Sequence, residues 1–270
     1  MSFVRLALVG GVAAFFLILL APLRLLAQAR GWRLGDWTPQ VFHRLACAAL
    51  GVEVAVHGKP VGGNCLVVSN HVSWLDIPVL GSAAPMRFLA KREIGAPALG
   101  GRLARLQGLI LVDRARKRAI PAVNAEIADA LVAGEPVLLF AEATTGDGNR
   151  LLRFRSSHFE AARQAAKSAA GGQTLVQPVY LAYSRLAGMP LLRRERPLVA
   201  WYGDMTFLPH LQRFLAAGRL RCDVYFAAPI PVAAELGRKP LAKQTEFVVR
   251  GLAEAARRGN CPILAEPGSS

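Results

Sequence analysis

The pattern of apolar and polar positions divides the chain into three parts. From Leu6 to Leu23 no charged residue interrupts the run, with Arg5 before it and Arg24, Arg30 and Arg33 after it. A helix of ~20 apolar residues crosses a bilayer core, so this run, extended by Ala27 and its neighbours, predicts a membrane-anchoring helix within residues 1–30. A cleavable signal peptide competes, because Leu25-Leu26-Ala27-Gln28-Ala29 can be read as a small-residue cleavage site. The heavier positive flank lies on the C-terminal side, which places the following chain in the cytoplasm. From Trp37 to Val54 apolar residues mix with His43 and Arg44. Residues 31–60 are accordingly expected to hold an amphipathic helix, either lying in the membrane interface with Trp32 and Trp37 among the head groups or packed on the domain that follows.

From residue 61 onward short apolar runs alternate with helical patterns. Cys65–Ser69, Gly108–Val112, Pro136–Ala141, Leu175–Tyr183, Pro197–Tyr202 and Cys222–Ala227 read as strands buried on both faces. Arg116–Ala133 reads as a helix that starts near Pro121. Ser157-x-x-Glu160 resembles a capping box opening a helix over Phe159–Ala170, with Gly171-Gly172 as its stop. The expected class is α/β, a mixed and largely parallel sheet flanked by helices behind an N-terminal membrane-anchoring helix. Ligands in such sheets sit beyond the carboxyl ends of strands, so the residues that follow each apolar run carry the interest.

Composition narrows the picture. The chain has 270 residues, 53% hydrophobic and 19% charged, enough to bury one core and too apolar for a disordered chain. Its net charge of +15 attracts anionic partners: lipid head groups, an acidic carrier protein or nucleic acid. Nucleic acid is set aside, because the basic residues do not alternate with aromatics, which make up 7% of the chain. Cys47, Cys65, Cys222 and Cys261 show no C-x-x-C spacing, so neither a disulfide framework nor a zinc site is expected.

Three strand ends carry chemistry. The first is Ser69-Asn70-His71-Val72-Ser73-Trp74-Leu75-Asp76. If the chain turns into a helix after His71, Asp76 lies a little over one turn away and reaches back to the imidazole. A carboxylate on one ring nitrogen sets the tautomer and leaves the other free to take a proton. No G-x-S-x-G nucleophile elbow is present, so direct attack by a substrate hydroxyl is the simpler route. Taken alone, His and Asp at this spacing read by default as a structural pair. The second end is Gly108 to Asp113-Arg114, a salt bridge or an anion clamp. The third is Phe140-Ala141-Glu142-Ala143-Thr144-Thr145-Gly146-Asp147-Gly148, a carboxylate entering a loop that is either a ligand cradle or a solvent-exposed turn.

In this order and spacing the three segments resemble the motif blocks of the glycerolipid acyltransferase family, the one that contains 1-acylglycerol-3-phosphate acyltransferases. Asn70-His71 through Asp76 matches its N-H-x4-D block, Gly108–Arg114 its G-x-I-F-I-D-R-like block, Phe140–Thr145 its F-P-E-G-T-R-like block and Gln177-Pro178-Val179 its fourth. Phe88-Leu89-Ala90-Lys91-Arg92-Glu93 resembles the common segment between the first two. The resemblance implies an acyltransferase domain over residues 61–270, with His71 as general base and Asp76 as its orienting partner. It implies substrate contacts at Asn70, Ser73, Lys91, Arg114, Glu142, Thr144 and Thr145. It also implies a lysolipid acceptor, an acyl carrier protein or acyl-CoA thioester donor, no further cofactor and no metal, at the cytoplasmic face of a bacterial inner membrane.

The departures are informative. Ala141, Ala143 and Thr145 stand where the family has Pro, Gly and Arg. The missing arginine removes a phosphate contact, unless Arg150, Arg153 or Arg155 substitutes. The Thr144–Gly148 extension and Trp201–Met205 resemble the bacterial branch that acylates lyso-ornithine lipid, whose zwitterionic head needs less cationic clamping and whose amine Asp147 or Asp204 could face. The alternatives are phosphatidic acid synthesis from 1-acylglycerol-3-phosphate and, in another class, a non-catalytic membrane lipid-binding protein.

Overall fold

A computed structural model describes residues 2–32, 37–91, 109–112, 119–169, 173–233 and 235–258. The chain opens with α1 (Ser2–Phe15), a π-helical turn over Phe16–Leu20 and α2 (Ala21–Ala29). Pro22 has no N–H to offer the carbonyl of Ile18, and the ladder widens just before it, with Ala21 N–H reaching back to Phe16 O. α3 (Thr38–Leu50) ends where Gly51 turns left-handed at φ 71°, and β1 (Val52–His57) follows at once. The helix expected over Trp37–Val54 is therefore a helix and then a strand, because Gly51 breaks it and Val52 pairs with Leu220.

Next come β2 (Cys65–Ser69), α4 (Asp76–Ala83), β3 (Arg87–Lys91), β4 (Leu109–Val112), α5 (Ile120–Val132), β5 (Val137–Phe140) and α6 (Phe159–Ser168). The chain continues through β6 (Gln173–Leu186), β7 (Met189–Pro190), α7 (Phe207–Ala217), β8 (Leu220–Phe226), β9 (Ile230–Ala233) and α8 (Arg238–Arg257). The sheet order is β1-β8-β6-β2-β5-β3-β4, with β7 and β9 on β6. β2 is parallel to both β5 and β6, and every residue of it is buried, as a strand covered on both faces must be. β6 is long enough to run parallel to β2 in its first half and antiparallel to β8 in its second. One face of the sheet packs against α5, α6 and α8 through Ile127, Phe159, Ala165, Val249 and Leu252. The other packs against α3, α4 and α7 through Leu50, Val79, Leu80 and Phe214.

Sequence expectation and structure part in two further places. Pro197–Tyr202 is not a strand: Arg196–Leu198 is a 3₁₀ turn whose N–H groups are satisfied locally, Val199 and Ala200 both donating to Arg196 O. Pro197, with no N–H and a fixed φ, suits the start of such a turn better than a ladder. The capping box before α6 does not form either. Ser156–His158 is itself a 3₁₀ turn, and Glu160 pairs with Arg163, 3.0 Å away, instead of reaching back. Gly108, Gly171-Gly172 and Cys261 lie outside the described residues. The other cysteines are buried free thiols, and burial pushes Cys47 and Cys65 up to about 12.

The α3–α4 seam holds an unusual core residue. The His43 ring lies beside Phe42 and Phe88 at centroid distances of 5.5 and 5.6 Å, and neither ring nitrogen has a hydrogen-bond partner among the described residues. It passes so close to Gly81 that a Cβ there would lie 2.3 Å from the ring. Gly81→Ala is expected to cost about 1–3 kcal/mol through overpacking, measured by urea unfolding. Burial lowers the His43 pKa from 6.5 to about 4, so the folded state disfavours the imidazolium. Its stability contribution is present above pH ~6.5 and is lost as pH falls toward 4, with a slope of up to ~1.4 kcal/mol per pH unit. Unfolding of wild type and His43→Leu between pH 7 and pH 4 checks this; parallel stability curves would show that the ring titrates freely.

Candidate active site

β2 ends at Ser69, and the chain leaves the sheet through Asn70. The Asn70 side chain continues the ladder where the backbone stops: its Nδ2 donates to Leu181 O at 3.1 Å and its Oδ1 accepts Leu181 N–H at 2.8 Å. His71, Val72 and Ser73 then cross above the sheet before α4 begins at Asp76. This crossing wraps the Asp76 carboxylate. Its Oδ2 accepts the N–H groups of Val72 at 2.6 Å and Ser73 at 3.0 Å, and stands 2.7 Å from His71 Nδ1. Its Oδ1 accepts the Tyr183 hydroxyl at 2.6 Å. Asp76 is fully buried, and these hydrogen bonds replace the hydration its carboxylate loses. Burial, and then the charge of Asp76, hold the Tyr183 hydroxyl well above its usual pKa, so it stays a donor.

The His71 ring lies flat on Phe140 at the end of β5, with centroids 3.8 Å apart and planes 10° from parallel. One edge is thus tied to Asp76 and one face is covered. Nδ1–H directed at the carboxylate leaves Nε2 with the lone pair, which suits a base that takes a proton from a hydroxyl.

The loop after β5 is fastened to this crossing. Glu142 Oε2 accepts His71 N–H at 2.8 Å and Oε1 accepts Leu152 N–H at 2.7 Å. Desolvation raises the Glu142 pKa to about 7, against the pull of those two hydrogen bonds. Gly146 N–H donates to His71 O at 2.9 Å, and Trp201 N–H closes the other side on Val72 O at 3.0 Å. Gly148, at φ 73°, packs so closely that a Cβ would lie 3.1 Å from Val72. Asp147 turns onto its own loop and accepts Asn149 N–H at 2.9 Å, while Asp204 is exposed at a turn. Ala143 adopts φ 62°, the left-handed region where the related motif has glycine.

His71, Asp76, Asn70, Ser73 and Glu142 are therefore brought together, with both carboxylate oxygens of Glu142 turned to main-chain donors. The Ser73 hydroxyl is enclosed with no partner among the described residues. Thr144 is exposed and Thr145 half-buried on the loop. Lys91 ends β3, but its side chain lies outside the described residues, as does Arg114. Gln177 of the fourth motif is buried and structural: it accepts Val61 N–H at 2.9 Å and donates to Lys59 O and Ala227 O at 2.8 and 3.0 Å. Sequence reasoning missed Tyr183, which looks like one more apolar strand residue; only β6 reaching past the end of β2 brings its hydroxyl to Asp76. Among the described residues no three His, Cys, Asp or Glu side chains are grouped to hold a metal ion.

A histidine–carboxylate pair thus stands at the carboxyl end of a central parallel strand of an α/β sheet. A family model described as Acyltransferase matches residues 53–182. A lyso-ornithine lipid O-acyltransferase of Brucella abortus is 41% identical over 230 residues, 85% of each chain. One of Rhizobium meliloti is 37% identical over 98% of this chain and 91% of its own. The crystal structure of the 1-acyl-sn-glycerophosphate acyltransferase PlsC from Thermotoga maritima superposes with a TM-score of 0.65 at 20% identity, over 94% of this chain and 96% of that one. This chain belongs to the acyltransferase family, and it is an acyltransferase.

Ala143→Gly is expected to raise stability by about 1 kcal/mol, because glycine adopts this φ without the Cβ penalty. Thermal or urea unfolding measures it, and no gain would mean that the loop tolerates alanine there at no cost.

Proposed function

We propose that this acyltransferase is a lysolipid O-acyltransferase. It moves a fatty acyl chain from a thioester, acyl carrier protein or acyl-CoA, to the free hydroxyl of lyso-ornithine lipid. The observation that carries the mechanism is the set of donors gathered on Asp76, which fixes one tautomer of His71. Nε2 takes the acceptor's hydroxyl proton as its oxygen attacks the thioester carbonyl. The tetrahedral intermediate then collapses, the C–S bond breaks, and the departing sulfur receives the proton from Nε2. No acyl–enzyme is formed and no cofactor takes part. Glu142 acts by holding the loop to His71. Lys91 and Arg114 are assigned to the substrates by their motif positions, and Thr144 and Thr145 by their place on the loop. The acceptor reading is supported by the names of the relatives at 41% and 37% identity and by Thr145 in place of an arginine.

The same reading places the enzyme on the cytoplasmic face of the inner membrane. The apolar helix from Phe3 to Ala27 is long enough to cross a bilayer. Both of its ends, however, are tied to the rest of the chain. Arg5 donates to Leu215 O at 3.2 Å and Gly218 O at 2.8 Å, and Arg24 Nη1 stands 3.5 Å from Thr38 Oγ1. α1–α2 thus lies antiparallel along α3, with Phe3, Leu6, Ile18, Leu19 and Leu25 exposed. We take it as a hairpin that sinks its apolar outer face into one leaflet, with residues 1–30 as anchor and residues 61–270 carrying the chemistry.

His71→Ala should abolish transfer to lyso-ornithine lipid, and Asp76→Asn should lower turnover by roughly 10²–10⁴-fold while the fold persists. Purified variants with both donors check this; unchanged turnover in His71→Ala would remove the mechanism. Product with 1-acylglycerol-3-phosphate alone would remove the acceptor. A tag at the N-terminus should resist protease added to spheroplasts, and its cleavage would show a spanning helix instead.

A further inference from the structure

Behind the crossing that carries His71 lies a cavity of about 420 Å³. Asn70, Val72 and Glu142 form one wall, so it shares its boundary with the catalytic loop. On the far side β6 supplies Tyr180, the 3₁₀ turn supplies Arg196 and the last residue of α8 supplies Arg257. Glu142 is the one acidic side chain in the lining, and its two oxygens already accept main-chain N–H groups. Arg150 lies close to Asp147, which offsets its charge. No described carboxylate forms an ion pair with Arg196 or Arg257.

These two guanidiniums converge. Both lie near enough to Tyr180 for their charges to act on its hydroxyl. Each also holds the loop after Glu142: Arg196 donates to Gly148 O, and Arg257 donates to Asn149 O at 3.3 Å. A guanidinium carries five N–H donors in a planar fork, so these contacts leave donors for a second acceptor. Four arginines, Arg150, Arg185, Arg196 and Arg257, line this partly enclosed space, and the two that also hold the loop, beside a tyrosine hydroxyl, form a receptor for an oxyanion through charge-assisted bonds.

We propose that Arg196 and Arg257, with Tyr180, bind the carboxylate of the acceptor's amino-acid head group and so determine which lysolipid is acylated. The proposal rests on the lyso-ornithine lipid reading above. It moves recognition from the second and third motif blocks, where an arginine is missing at Thr145, to residues from the C-terminal third of the chain.

Steady-state kinetics of Arg257→Met and Arg196→Met test this, with lyso-ornithine lipid and with its carboxyl methyl ester as acceptors. Against the free acid, KM is expected to rise about 10- to 100-fold, as for a lost charge-assisted hydrogen bond, with kcat within about twofold. Against the methyl ester, which keeps the amine and the hydroxyl but lacks the charge, wild type and variants should be alike, and Arg257→Lys should recover part of the loss. A similar rise against both acceptors, or a fall in kcat with KM unchanged, would make the arginines loop braces and overturn the proposal. A rise in KM for the thioester donor alone would assign the cavity to the donor's phosphate and overturn it equally. If wild type acylates neither lyso-ornithine lipid nor its ester, the acceptor reading fails before the arginines are tested.

Discussion

The arrangement of this site depends on one buried carboxylate. Asp76 has no contact with solvent, and an unpaired charge in such a place would cost several kcal/mol. Four donors answer it: the ring of His71, the N–H groups of Val72 and Ser73, and the hydroxyl of Tyr183. The first three force the crossing between β2 and α4 into a tight wrap. The fourth ties that wrap to β6. The ring is thus oriented by the same interaction that stabilises the charge, and Oδ1 depends on the Tyr183 hydroxyl as its one donor among the described residues. Asp76 also opens α4, where a negative charge is favoured by the helix dipole.

A second buried carboxylate extends the constraint outward. Glu142 sits between His71 N–H and Leu152 N–H, so the loop after β5 and the crossing after β2 behave as one unit. Desolvation raises its pKa to about 7. The strained Ala143 and the close approach of Gly148 to Val72 show how tightly this loop is drawn in. Strain of that kind persists where neighbouring contacts over-determine the backbone.

The membrane-facing part is governed by a different balance. α1–α2 exposes most of its apolar side chains, yet Arg5 caps the carbonyls at the end of α7, and Phe16 packs on Phe42 with centroids 4.8 Å apart. A helix long enough to span a bilayer is thereby turned into one arm of a hairpin that runs along α3.

Several features were legible in the residues. The buried run Cys65–Ser69 and the helix opening near Pro121 follow from short-range rules of periodicity and proline chemistry, which pointed to an α/β sheet, and the resemblance of the three strand-end motifs to a known family implied an acyltransferase with His71 and Asp76 paired. Pro197–Tyr202 read as a strand for the same reason that Cys65–Ser69 did, since apolar runs look alike until partners exist. Gly51 hid the start of β1, and the Ser157–Glu160 pattern promised a cap that Arg163 prevented. What only the tertiary structure decided are the interactions between residues far apart in the chain: Tyr183 on Asp76, Asn70 on Leu181, Glu142 on His71, and Arg196 with Arg257 around one cavity. Local sequence specifies which elements form, because backbone preference and side-chain period act over a few residues. Which side chains meet depends on how far each strand runs past its neighbour, and that is settled by the packing of the whole sheet.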